Sequence, residues 1–353
     1  MTKKINEASY LTADENAQYF ECGYSCDHAL FLKLGGDKFF ITDSRYTLEA
    51  QQQACQTKVI TSNDLYSSAT ALINKSRVSS IVYDPSQMTL SAFEKLKSSL
   101  DSKKELKGIP NFHQQKRIIK TDEEITHIKK SQKLNKEAYK RFARFINQRI
   151  GGGKTLSEQD LYYHACGFLS HQGKYPLSFS PIVGINANAA KPHATPSQKD
   201  KIKRGDLLLF DAGVKYRRYC SDRTRTAFFG KDGIVFRKSQ HFKDKKLQTI
   251  YEAVLKAQEK TIALLRGGMS GKQIDAIARN AIEKAGYGKY FVHSTGHGIG
   301  LDIHELPFIS TRSETIIEDG MVFSIEPGIY IPDYYGVRIE DLVVVRNGRA
   351  EIL

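Results

Sequence analysis

Apolar positions along the chain follow two regimes, and the change between them divides it. Near the N-terminus, short apolar runs alternate with helical periodicity. His28 to Leu34 and Lys38 to Thr42 read as strands joined by Gly35-Gly36, a strong hairpin signal. Ser44 to Ala54 reads as helix, Ile81 to Tyr83 as a strand, and Thr89 to Leu100 as a second helix. Gly108 to Asn111, with Gly108 and Pro110 after a charged run, reads as a linker. The pattern therefore sets an α/β domain over residues 1–115 and a larger domain over 116–353.

The larger domain opens at Thr121-Asp122-Glu123-Glu124, a helix start with Glu124 three residues after the capping Thr121. An amphipathic helix runs from there to about Arg149 and stops at Gly151 to Gly153. A second helix runs from Ser157 to His171, and two more are predicted over Phe242 to Arg266 and Gly271 to Ala285. Around these helices lie apolar strand pairs, so the expected class is α+β. No internal repeat or low-complexity segment interrupts the pattern.

The strand pairs carry the candidate chemistry. Leu207 to Val214 and Tyr219 to Phe229 are apolar runs on either side of the polar Lys215 to Arg218, which reads as a turn. Asp211 and Asp222 are equidistant from its centre, so the pattern predicts them directly opposite each other, about 4.5 to 5.5 Å apart at Cβ. Two carboxylates so placed repel unless water or a cation separates them, and a divalent metal fills that role. The arrangement then recurs. Met321 to Tyr330 and Val337 to Val345 flank the turn-rich Ile331 to Gly336, and Glu326 and Glu340 are equidistant from Asp333. Between the hairpins, HSTGHGIGLDIHE supplies His293, His297 and His304. Four carboxylates and one histidine from three segments suit two divalent metals. Arg338, two residues before Glu340, lies on the same strand face and is placed to orient a ligating carboxylate.

Taken together, PHATP around His193, DAG at Asp211, SDRTRT at Asp222, HGIGLDIHE from His297, SIEPG at Glu326 and VRIED at Glu340 form an ordered set. It resembles the metallopeptidase family of aminopeptidase P, prolidase and methionine aminopeptidase, over about Thr121 to the C-terminus. The resemblance implies a pita-bread catalytic domain. FFITDSRYTLEA resembles the start of the creatinase-type N-terminal domain that precedes that fold in aminopeptidase P and prolidase, which disfavours methionine aminopeptidase. The resemblance further implies metal ligands at Asp211, Asp222, His297, Glu326 and Glu340. His193 and His304 then hydrogen-bond substrate carbonyls and the developing oxyanion, His293 faces the substrate, and Glu326 moves a proton from the nucleophile to the leaving nitrogen.

One imidazole with four carboxylates and no thiolate favours Mn²⁺, with Co²⁺, Zn²⁺ or Fe²⁺ able to take the site. The enzymes most resembled cleave the bond before proline, so the expected substrates are short peptides with proline second. A dipeptidase must hold the free carboxylate beside the proline with a cation. Some similar prolidases place an arginine four residues after the position of His304; here that residue is Phe308, which favours an Xaa-Pro aminopeptidase over an Xaa-Pro dipeptidase. The complete ligand set argues against a non-catalytic binding module and against metal-free creatinase-type chemistry.

Composition adds limits. Lys and Arg number 53 against 39 Asp and Glu, a net charge of +14, but the lysines are scattered through helical stretches, as on a solvated surface rather than a nucleic-acid interface. The first twenty residues lack the apolar run of a signal peptide, and no run of about 18 apolar residues could span a membrane. Five cysteines without framework spacing suit reduced thiols, so the expected location is cytoplasmic. Cys22, Cys26 and His28 lack a fourth ligand for a zinc site, and Asp43 and Arg45 read as a helix cap and a surface charge. A homodimer is implied by the resemblance alone.

Overall fold

The computed structural model describes residues 7–353. The chain divides into two compact units, one ending at Arg117 and one from Ile118 to Leu353.

In the N-terminal unit, β1 (Tyr10–Thr12), β2 (Ala29–Leu34), β3 (Asp37–Thr42), β4 (Lys58–Thr61), β5 (Ser80–Tyr83) and β6 (Glu105–Gly108) form one mixed sheet, in the order β4-β3-β2-β1-β5-β6. Helices α1 (Glu15–Cys22), α2 (Thr47–Gln53), α3 (Leu65–Lys75), α4 (Leu90–Ser98) and α5 (Phe112–Lys116) complete it. Successive strand residues point to opposite faces, and each face has its own core. Tyr10, Phe31, Phe40 and Val82 enter one, while Leu11, Leu30, Leu32, Ile41 and Ile81 enter the other. Burial on both faces is why these strands read as unbroken apolar runs. Gly35, at φ 59°, begins the tight turn that pairs Leu34 with Asp37. The linker expected at Gly108 to Asn111 is instead part of this unit. Gly108 pairs with Tyr83, the Ile109 N–H donates to the Tyr83 carbonyl, and the Phe112 N–H donates to Asp84.

The C-terminal unit begins with α6 (Asp122–Gly151), whose capping box joins Thr121 and Glu124, and α7 (Glu158–Leu169). Strands β7 (Ile182–Ile185), β8 (Leu207–Asp211) and β11 (Thr224–Phe228) form a sheet with β8 central, and the short β9 (Lys215–Tyr216) and β10 (Tyr219–Cys220) extend the hairpin to its tip. Then come α8 (Lys245–Leu264) and α9 (Gly271–Lys284). A second sheet, in the order β13-β12-β14-β17-β18, uses β12 (Gly296–Gly298), β13 (Glu305–Ile309), β14 (Val322–Ile325), β17 (Asp341–Arg346) and β18 (Arg349–Ile352); β15 (Gly328–Ile331) and β16 (Tyr335–Arg338) pair beyond it. Strand β8 is the partition of this unit. Leu208 and Phe210 pack with α6 and α7 residues such as Phe142 and Leu161, whereas Leu207 and Leu209 pack with Ile250, Tyr251 and Ala278 of α8 and α9. By the same alternation, Asp211 shares the face of Leu207 and Leu209.

The first hairpin departs from its expected register. Lys215 and Tyr216 are strand, not turn; Tyr216 pairs with Tyr219, and only Arg217 and Arg218, at φ 47° and 68°, make the turn. Asp211 is therefore opposite Thr224. The same count sets Asp222 opposite Gly213, so the two aspartates are diagonal rather than directly opposed. A shift of two residues keeps both on one face, because side chains alternate with period two. A Cβ on Gly213 would fall 2.0 Å from the Ser221 carbonyl oxygen, so glycine alone fits beneath Asp222. The second hairpin keeps its expected register. Ile325 pairs with Asp341 and Gly328 with Arg338, so counting from either side sets Glu326 against Glu340.

Candidate metal centre

The four candidate carboxylate ligands are positioned at or beside strand ends, and the histidine within a strand. Asp211 closes β8, Asp222 precedes β11, Glu326 follows β14, Glu340 precedes β17, and His297 sits in the middle of β12. All but Glu326 are buried, and Glu326 is largely so. The His297 Nε2 is 3.2 Å from Glu326 Oε1 and 3.6 Å from Asp222 Oδ2. Its Nδ1 donates to the Gly298 carbonyl at 3.1 Å, which leaves Nε2 facing the carboxylates. Asp222, His297 and Glu340 each offer one donor atom within 4.8 Å of the other two.

Arg338 ties this group together. Its guanidinium donates to Asp211 Oδ2 at 2.7 Å, to Thr224 Oγ1 at 3.0 Å, to the Tyr330 hydroxyl at 2.6 Å and to the Pro192 carbonyl at 3.3 Å. Thr224 in turn donates to Glu340 Oε2 at 2.7 Å, and Ser324 donates to Glu326 Oε1 at 3.1 Å. From the other side, α6 holds the backbone of the first hairpin. Gln132 donates to the Asp222 carbonyl at 2.8 Å, Asn135 to that of Ala212 at 2.7 Å, and Tyr139 to that of Phe210 at 3.1 Å. These three positions fall on one buried helical face.

The electrostatics call for a cation. Burial, and then the neighbouring carboxylates, push Asp222 and Glu340 well above the usual carboxylate range. Burial also raises Asp211, against the opposing charge of Arg338. For Glu326, burial is outweighed by the hydrogen bond and charge of His297, which pull it down to about 2. Asp211 Oδ1, Asp222 Oδ1 and Glu340 Oε1 are buried without a hydrogen-bond partner. Unpaired buried carboxylate oxygens are costly, and Asp222 and Glu340, grouped with the His297 imidazole, form a donor set that fits a divalent metal, with Asp211 buried in the same cluster.

The group lies at the base of a cavity of about 850 Å³. His193, His293 and His304 line it, as do Phe179, Ile303 and Phe308. The His304 ring meets that of His297 edge to face, with centroids 4.2 Å apart. His293 lines the wall, but its ring nitrogens are engaged: Nδ1 donates to the Ser294 carbonyl at 2.7 Å, and the Tyr330 hydroxyl donates to Nε2 at 2.9 Å. Sequence reasoning missed Tyr330, Thr224 and the α6 polar face. The polar residues Gln132, Asn135 and Tyr139, recurring at helical spacing on the apolar side of α6, were the available signal.

This architecture has known counterparts. The chain belongs to metallopeptidase family M24, which matches residues 126–347, and its N-terminal unit matches the Creatinase/Prolidase N-terminal domain over residues 1–119. The protein is thus a metallopeptidase whose pita-bread catalytic domain follows a creatinase-type domain along the sequence. It is 34% identical over 344 residues to the Uncharacterized peptidase YqhT of Bacillus subtilis, covering 97% of this chain and 92% of that one. It is 39% identical over 250 residues to an Xaa-Pro dipeptidase of Pyrococcus furiosus, covering 71% and 67%. Among solved structures, the Xaa-Pro dipeptidase from Bacillus anthracis matches with a TM-score of 0.88 at 31% identity, over 99% of this chain and 94% of that one. The X-Pro aminopeptidase from Thermotoga maritima matches with 0.84 at 28%, over 99% and 96%.

Proposed function

We propose that the protein hydrolyses Xaa-Pro peptide bonds, as an Xaa-Pro aminopeptidase acting on short peptides with proline second. One observation carries the choice of aminopeptidase. Among the described residues lining the cavity, Arg338 is the only Lys or Arg, and its guanidinium is committed to Asp211, Thr224, Tyr330 and Pro192. Among the described residues the wall thus offers no uncommitted Lys or Arg to a dipeptide carboxylate, and Phe308 presents an apolar ring instead. A second reading, Xaa-Pro dipeptidase, is supported by the activity named for the Pyrococcus furiosus and Bacillus anthracis relatives.

In this reading Asp211, Asp222, His297, Glu326 and Glu340 hold two divalent ions, Mn²⁺ first among them. When bound, such ions supply Lewis-acid polarisation and water activation. Glu326 takes the proton of the attacking water and passes it to the proline nitrogen as the C–N bond breaks. His193 and His304, both on the cavity wall, donate hydrogen bonds to the substrate carbonyls and the developing oxyanion. His293 contacts the substrate with its ring rather than its nitrogens, and Arg338 keeps Asp211 oriented. The scattered lysines and unpaired cysteines support a cytoplasmic enzyme that binds neither nucleic acid nor membrane, and no helix among the described residues is long and apolar enough to cross a membrane. It acts as a homodimer, which sedimentation of the metal-loaded protein checks.

The deciding experiment offers Mn²⁺-reconstituted protein an Xaa-Pro dipeptide and an Xaa-Pro-Xaa tripeptide with the same first residue. Cleavage of the tripeptide at the Xaa-Pro bond is expected. Cleavage of the dipeptide alone establishes the second reading, and cleavage of neither by the metal-loaded protein sinks both.

A further inference from the structure

His193 stands on a segment with little regular structure of its own. Between β7 and β8 the chain carries only a 3₁₀ turn, Asn186–Ala190, and an isolated bridge at Lys201. Something else must hold it, and the first turn of α7 does. The Glu158 carboxylate is fully buried. Its Oε1 accepts from the Ile185 N–H at 2.6 Å, and its Oε2 from Asn188 Nδ2 at 2.7 Å and the Ser197 N–H at 2.8 Å. These donors bracket His193 on both sides. Backbone bonds reinforce the lock: the Glu158 N–H donates to the Asp200 carbonyl at 3.0 Å, the Gln159 N–H to that of Ser197 at 3.2 Å, and the Ile202 N–H to that of Leu156 at 3.0 Å. On the opposite side, Arg338 donates to the Pro192 carbonyl, and a Cβ on Gly336 would lie 1.7 Å from the Ala189 carbonyl oxygen, so β16 packs hard against the 3₁₀ turn.

All three partners of Glu158 are N–H donors, so the carboxylate serves as an acceptor only, and the N-terminus of α7 favours its charge. An amide cannot replace it. Turned one way, the NH₂ of a glutamine faces the buried Ile185 N–H; turned the other way, it faces the half-buried Asn188 amide and Ser197 N–H, so at least one donor loses its acceptor. The cavity wall is continuous with this device, since Gln159 and Tyr162 of the same helix line it.

We propose that Glu158 is a positioning residue for peptide hydrolysis: its buried carboxylate clasps residues 185–197 and thereby fixes His193 on the cavity wall. This rests on the reading above, in which His193 contacts the substrate. Because the histidine acts on the oxyanion, loosening the clasp lowers kcat rather than raising KM.

The test compares wild type, Glu158→Gln, His193→Ala and the double variant, metal-loaded, on whichever Xaa-Pro peptide the protein cleaves. Glu158→Gln is expected to lower kcat about 30-fold with KM within about 3-fold and metal content unchanged, and to add less than about 3-fold to the His193→Ala loss. Wild-type kcat in Glu158→Gln overturns the proposal, as does an equal loss from Glu158→Gln in both backgrounds. Full kcat in His193→Ala instead removes the His193 reading itself, so the two failures are separable. If Glu158→Gln does not fold, Asn188→Ala removes one of the three bonds. It is expected to give a smaller loss of the same non-additive kind, and an additive loss overturns the clasp.

Discussion

In the hairpin of β8 and β11, Asp211 is level with Thr224, and Asp222 lies two residues nearer the turn. In the hairpin of β14 to β17, Glu326 and Glu340 are level with each other. The stagger of the first has a use that the symmetry of the second lacks. It puts a hydroxyl, not a carboxylate, across from Asp211, and that hydroxyl reaches out of its own hairpin to donate to Glu340 and accept from Arg338. Thr224 therefore links the two halves of the centre. A directly opposed aspartate would have concentrated like charge where a neutral bridge is needed.

The largest test of this comparison substitutes one carboxylate from each hairpin. Asp222→Asn and Glu340→Gln are each expected to lower kcat/KM by at least about 10³-fold, about 4 kcal/mol of transition-state stabilisation, with metal lost from the purified protein. Normal metal content and activity in either variant breaks the pairing of the hairpins. Chelation follows in size. Removing metal leaves the buried carboxylates facing one another, so the melting temperature is expected to fall and to recover on adding divalent ion, a stabilisation of up to about 4 kcal/mol at ligand about 1,000 times its Kd. A melting temperature indifferent to chelator would show that the cluster holds no stabilising cation.

The bridge is tested next. Arg338→Met is expected to cost about 10- to 100-fold in activity or metal affinity, because Asp211 loses its ion pair. Thr224→Val removes two hydrogen bonds of the link and is expected to cost about 10-fold in kcat/KM. An effect of Thr224→Val as small as that of an exposed threonine would detach it from the centre. Smallest is the turn. Arg217 and Arg218 adopt positive φ, where asparagine and glycine are favoured, so replacing the pair by Asn-Gly is expected to stabilise by about 1 kcal/mol with activity unchanged. Thermal unfolding reads the gain, and a loss of activity would mean that the tip itself takes part.

That turn also explains why the first register is not legible in the sequence. Arg-Arg carries none of the composition by which a two-residue hairpin turn is recognised, so the polar Lys215 to Arg218 looked like the loop. In the second hairpin, Pro332, Asp333 and Gly336 marked the turn, and the count came out true. Elsewhere the pattern served well where burial was one-sided, as along α6, and failed where a segment's fate depended on a distant strand. Gly108 and Pro110 have the composition of a linker, yet pairing with β5 draws Gly108 into the sheet and the residues after it stay within the N-terminal unit.

The sequence alone determined that Asp211, Asp222, Glu326 and Glu340 would stand on the arms of two hairpins with each pair on one face, because strand periodicity is local and an error of two residues does not change the face. It also carried the ordered motifs by which the chain resembles its family. Only the tertiary structure decided which oxygens are left without partners, that Thr224 spans the hairpins, that Tyr330 stands between His293 and Arg338, and that Glu158 holds the segment bearing His193. Those relations join residues of different elements through side-chain hydrogen bonds, most of them tens of positions apart, and no local periodicity encodes such a contact; burial of the partners in one low-dielectric core does.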